Sequence, residues 1–174
     1  MNYSYLKKET APKILVEAYK LIGVSELLGK DNNPTILRWA DELDLEKVYT
    51  ADEIPWCGLF VAYACHKAGK QVIENPLWAR NWNKFGTKEA VAMLGDILVF
   101  ERGANSGHVG IYVGEDKKAY HVLGGNQGDK VSIVKILKSR CIGIRRTPWS
   151  KAQPENVRRI ILDETTGGIS INEQ

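Results

Sequence analysis

The chain has 174 residues, 44% apolar and 26% charged, with a formal net charge of +3. That length suffices for one domain with a real core, and one domain is the expectation. The charge is too small and too scattered for a nucleic-acid surface, and no apolar run approaches the roughly 18 residues of a membrane span, so neither nucleic acid nor membrane is an expected partner.

The opening stretch, Met1-Asn2-Tyr3-Ser4-Tyr5-Leu6-Lys7-Lys8-Glu9, has no apolar core of the kind a signal peptide needs. Synthesis in the cytoplasm is expected, with any action outside depending on release or injection. Thr10 is placed to cap a first helix with Pro12 in its first turn. Ile14, Leu15, Ala18, Leu21 and Ile22 give that helix an apolar stripe, and Gly23 ends it. Asn33-Pro34 starts a second helix carrying Ile36, Leu37, Ala40 and Leu43. A third spans residues 55–67 and stops at Ala68-Gly69. Asn75-Pro76 opens a short tryptophan-rich helix through Trp78 and Trp82.

From Gly95 the pattern changes to strands, expected near 96–101, 108–114, 119–123, 130–136 and 141–146. Helices first and an antiparallel sheet after them define an α+β class. Residues 1–150 are read as one catalytic domain and 151–174 as a C-terminal extension. Within it, 157–162 is a short strand or helix and 163–174 is flexible.

The three cysteines, Cys57, Cys65 and Cys141, match no zinc or disulfide framework, and with three histidines a dedicated metal site is not expected. His66 follows Cys65 at the polar end of a helix and reads as solvated. Cys65 and Cys141 read as ordinary core cysteines. Cys57 differs. It follows Pro55-Trp56 and lies in a first helical turn, where free N–H groups and the helix dipole favour a thiolate and where its own N–H can serve an oxyanion. His108 opens a strand between Gly107 and Gly110, which allow close approach of backbone or substrate. A thiol at a helix start and an imidazole at a strand start are the parts of a nucleophile–base pair.

A third group should hold the imidazole through its second nitrogen. If Glu115-Asp116-Lys117-Lys118 is a four-residue hairpin loop, His121 faces Tyr112, roughly 13 Å along the strand from His108. Asn126 then lies beside His108 and is the preferred third residue. His121 is the alternative, because a bulge or a shorter turn changes the register. Among the aromatics, Trp56, Tyr63, Trp78 and Trp82 can line a groove. Trp56, beside the nucleophile, is the expected substrate-contacting wall, while core packing is expected of at least one of Trp78 and Trp82.

Four blocks carry a resemblance: Pro55-Trp56-Cys57-Gly58-Leu59-Phe60-Val61, Gly95-Asp96-Ile97-Leu98-Val99-Phe100, Gly107-His108-Val109-Gly110-Ile111-Tyr112-Val113-Gly114 and Leu123-Gly124-Gly125-Asn126-Gln127. Together, in this order, they resemble the NlpC and CHAP superfamily of cell-wall cysteine hydrolases, and most of all its compact phage and prophage branch. The likeness covers roughly residues 10–147. It implies a papain-like fold and cleavage of an amide bond in peptidoglycan peptides, between N-acetylmuramate and L-alanine or within the stem peptide. It also implies Cys57 as nucleophile, His108 as base and Asn126 as the CHAP-like third residue, with His121 nearer the NlpC arrangement. No metal or organic cofactor is expected. Peptidoglycan is the expected partner, a monomer the expected state, and the periplasm or wall the expected place of action. A phage lysin and an injected antibacterial effector with an immunity protein fit equally. A non-catalytic virion or binding protein on the same fold, or a cytoplasmic thiol acyltransferase or peptidase, is the competing class.

Overall fold

A computed structural model describes residues 3–27, 29, 31–163, 168–171 and 173. Three helices come first: α1 (Lys13–Tyr19), α2 (Pro34–Asp41) and α3 (Cys57–Lys67). Pro12 itself occupies the cap position of α1, so the helix starts two residues later than a Thr10 cap implies. At α2 the local signal acts as written. The Asn33 side chain accepts a hydrogen bond from the Thr35 N–H at 2.8 Å, and Pro34 takes the first helical position. The tryptophan-rich segment forms a 3-10 helix, Ala79–Lys84.

Helix α3 is apolar on every side. Its residues from Cys57 to Cys65 are all buried, so it is a central helix rather than an amphipathic surface one. It packs against α1 on one side and the sheet on the other. Gly58 permits the chain at Pro76 and Leu77 to cross its first turn, since a Cβ there would sit 2.2 Å from the Pro76 carbonyl oxygen.

The strands are β1 (Thr87–Lys88), β2 (Ile97–Arg102), β3 (Ser106–Glu115), β4 (Ala119–Gly124), β5 (Ser132–Leu137), β6 (Cys141–Arg146) and β7 (Ile169–Ser170). They form one sheet in the order β1-β6-β2-β3-β4-β5-β7, antiparallel except for the β5–β7 pair. The five expected strands are present, and two short edge strands are added. Asp96, buried at the start of β2, accepts two hydrogen bonds from Arg146 on β6, at 2.8 and 2.7 Å. That pair ties the Gly95-Asp96 block to the sheet.

The β3–β4 hairpin is tighter than a four-residue loop. The Asp116 N–H donates to the Ala119 carbonyl at 2.9 Å, and a bulge lies between Tyr112 and Gly114. His121 therefore pairs with Gly114 and not with Tyr112, farther still from His108.

Segment 157–162 forms neither a regular strand nor a helix. It runs beside the end of β3 with a single bridge from Ile161 to Glu115. The expectation of a flexible stretch over 163–174 falls partly outside the described residues, but Ile169–Ser170 joins the sheet as β7 and Glu173 is buried.

Candidate active site

Cys57 is the first residue of α3, as its position after Pro55-Trp56 implies. The backbone N–H groups of Val109, the residue after His108, of Gly58 and of Cys57 itself all bear on its Sγ and favour the thiolate. The fold thus brings the Cys57 thiol to the start of β3. Burial raises the thiol pKa, and this outweighs the lowering by those N–H groups and by Arg102. The helix start favours the thiolate, but burial keeps the resting thiol protonated. Burial pushes Cys65 and Cys141 up to about 12 and about 11, against a lowering by Lys70 at the first and by the Gly143 backbone at the second. His66 is exposed.

His108 is 1% exposed, and burial pushes its pKa down to about 4. Its Nε2 lies 3.0 Å from Oε1 of Gln127. The Gln127 Nε2 donates to the carbonyls of Ser132 and Val122, at 2.6 and 3.3 Å. Those carbonyls only accept, so the amide orientation is fixed and Oε1 must accept from His108. The imidazole therefore carries its proton on Nε2 and keeps Nδ1 as the basic nitrogen.

Neither expected third residue takes this place. Asn126 makes no hydrogen bond to His108, and its buried Oδ1 has no partner. The hairpin count assumed that the strand runs on past Gly125. In fact β4 ends at Gly124, and Asn126 adopts a left-handed φ of 54°. The chain turns there, and the next side chain, Gln127, reaches the imidazole instead. His121 is held elsewhere, between the Tyr3 hydroxyl at 2.9 Å from Nδ1 and Asp116 at 3.2 Å from Nε2. Gln127 stands in the same sequence block as Asn126, and only the left-handed turn decides between them.

Two glycines make this corner possible. A Cβ on Gly124 would lie 2.6 Å from Gln127 Oε1 and 3.1 Å from His108 Nε2. A Cβ on Gly125 would strike the Trp56 ring and Phe60 at 2.6 Å. Trp56 is accordingly no substrate wall. It is fully buried beneath the Gly125 turn, packs edge-on against Trp39, and donates its indole N–H to Glu26 at 2.6 Å. Trp78 is 64% exposed, while Trp82 goes into the core. Trp78 lines a cleft of about 600 Å³ with Cys57, Pro55, Leu77, Arg102 and Gly107. Tyr63 stacks on Trp39 away from that cleft. Sequence reasoning also passed over Arg102, whose charge acts on both the thiol and the imidazole. Among the described residues, no group of three or more His, Cys, Asp or Glu side chains is placed to hold a metal ion.

A helix-start cysteine and a histidine near a strand start, on an α+β scaffold with a mostly antiparallel sheet, define a fold compatible with the papain-like class. Within it, residues 49–126 match the family model for the CHAP domain, in keeping with the NlpC and CHAP superfamily that the sequence blocks resemble. The matched stretch contains both Cys57 and His108. No curated protein matches the chain. A CHAP domain points to a hydrolase of amidase or peptidase type acting on peptidoglycan.

Proposed function

We propose that this chain is a thiol-dependent peptidoglycan hydrolase that cleaves an amide bond of the wall peptide, as an N-acetylmuramoyl-L-alanine amidase or a stem-peptide endopeptidase. The observations that support this reading are a first-turn thiol on which the backbone of Val109 bears, and the adjoining residue His108, whose imidazole tautomer Gln127 fixes through two backbone carbonyls. Cys57 is the nucleophile and His108 the base. Substrate lies in the cleft along Trp78 and displaces water from it. His108 Nδ1 takes the thiol proton as Sγ attacks the peptide carbonyl. The oxyanion that forms is met by the Cys57 N–H at the start of α3. The imidazolium then returns the proton to the leaving amine, and a water deprotonated by His108 hydrolyses the thioester and restores the thiol. The buried, neutral resting pair suits this order of events, because charge separation waits for the substrate.

The place of action is the wall, reached by release as a lysin or by injection as an effector whose producer holds an immunity protein. Digestion of purified peptidoglycan, with mass spectrometry of the fragments, tests the activity and identifies the bond. Cys57→Ala should abolish digestion, whereas Cys65→Ala and Cys141→Ala should retain it. Thiol alkylation should inhibit and chelation should not. Full digestion by a verified Cys57→Ala protein overturns the mechanism. A folded wild-type chain that digests no wall favours the binding or virion class.

A further inference from the structure

Strand β7 pairs in parallel with the outer edge of β5, with Ile169 opposite Lys135 and Ser170 opposite Ile136. Arg140, in the 3-10 turn Lys138–Arg140, donates to the Ser170 carbonyl at 3.2 Å. Its two arms then reach the two oxygens of the Glu173 carboxylate, each at 2.8 Å. Glu173 is 1% exposed, and its backbone carbonyl accepts from the Gly128 N–H at 3.3 Å. Gly128 follows Gln127, the residue that holds the His108 imidazole. Ile169 and Ser170 thus lie on the sheet edge, and Glu173 meets the turn that carries Gln127.

A clamp alone does not call for a buried carboxylate. Removing a charge from water is costly, and a pair with one guanidinium only partly offsets it. We propose that Glu173 is a positioning residue of the Cys57–His108 pair. It secures the Gln127 turn through Gly128 and supplies the negative charge that stabilises His108 when the imidazole takes the thiol proton. A single attraction couples the two groups. Burial drives His108 down, and Glu173 is the strongest influence restoring it. Burial drives Glu173 up, yet Arg140, His108 and the Ser170 side chain together hold its carboxyl below the ordinary range. The other groups bearing on His108 are Arg102 and Arg140, which oppose the imidazolium, and Gln127, which supports it. Glu101 bears on Arg140.

This inference rests on the thiol-hydrolase reading, so its test uses no wall substrate. The His108 pKa is followed by NMR, and the rate of Cys57 alkylation by iodoacetamide is followed from pH 5 to 9, in the full chain. In Glu173→Gln the His108 pKa should fall by about half a unit or more. Alkylation at pH 7 should slow by about threefold or more, because a thiolate–imidazolium pair loses its compensating charge. Glu173→Asp keeps the charge and withdraws it by one methylene. It should lie between the two, and it carries the test if Glu173→Gln does not fold. A folded Glu173→Gln protein with wild-type His108 pKa and wild-type alkylation rate overturns the proposal and leaves Glu173 a clamp. So does a folded Glu173→Asp protein with wild-type values where Glu173→Gln is not obtained. Neither readout depends on peptidoglycan cleavage, so failure of the hydrolase reading shows separately in the digestion assay.

Discussion

Gln127→Ala removes three hydrogen bonds at once: one to the His108 Nε2–H, and two that the amide donates to Val122 and Ser132. The imidazole loses the partner that selects its tautomer and sets its ring plane. By analogy with the loss of outer partners of other functional histidines, wall-digestion kcat should fall about 10- to 100-fold. Stability should fall by only about 1–3 kcal/mol, because each hydrogen bond is worth roughly 1 kcal/mol net and the space is small enough for neighbours to relax into. In a chain of this size that is a Tm decrease of very roughly 2–12 °C, readable by circular dichroism. Asn126→Ala is the control. Its unpartnered Oδ1 contributes no bond to lose, so kcat should stay within about threefold, while a Cβ-bearing residue other than Asn in the left-handed region costs roughly 1 kcal/mol. His121→Ala should likewise lower stability, through loss of its Tyr3 and Asp116 contacts, and leave the kcat of the folded fraction near wild type. Wild-type kcat in folded Gln127→Ala, or a large loss in Asn126→Ala, refutes the assignment.

Burial of neutral His108 makes folding pH-dependent. Its folded pKa of about 4 lies below the ordinary 6.5, so the unfolded chain binds the extra proton between those values. Its contribution is full above pH 6.5 and lost as pH falls toward 4, to the extent of order 3 kcal/mol. Urea midpoints measured from pH 8 to 4 should show this loss, and His108→Gln should flatten it; equal slopes in the two proteins would show that other groups drive the acid response. The tryptophans should separate stability from substrate binding. Trp56→Ala should cost about 3–5 kcal/mol, because it empties a fully buried site under the Gly125 turn. Trp78→Ala should leave Tm unchanged and raise KM for wall fragments; the opposite pattern would return Trp56 to the cleft.

Much of the molecule was legible in short stretches of sequence. Asn33-Pro34 made α2 because the cap and the proline act within a few residues. The alternating segments after Gly95 became β2 to β6 within a residue or two of their expected bounds. Cys57 and His108 were readable for the same reason: a helix start after a proline and a strand start between glycines are local features, and the chemistry they favour follows from them. The rest depended on what distant segments do to one another. Trp56 neighbours Cys57 in sequence, yet Trp39, Glu26 and Gly125 draw its ring into the core. Burial by the whole fold, rather than the helix start, sets the resting state of the thiol. A single left-handed residue, Asn126, hands the imidazole to Gln127, because a hairpin count presumes an extended chain and cannot see where the strand stops. Segment 169–173 has too little local pattern to announce a strand. The edge of β5 makes a strand of Ile169 and Ser170, and the guanidinium of Arg140 holds the buried carboxylate of Glu173.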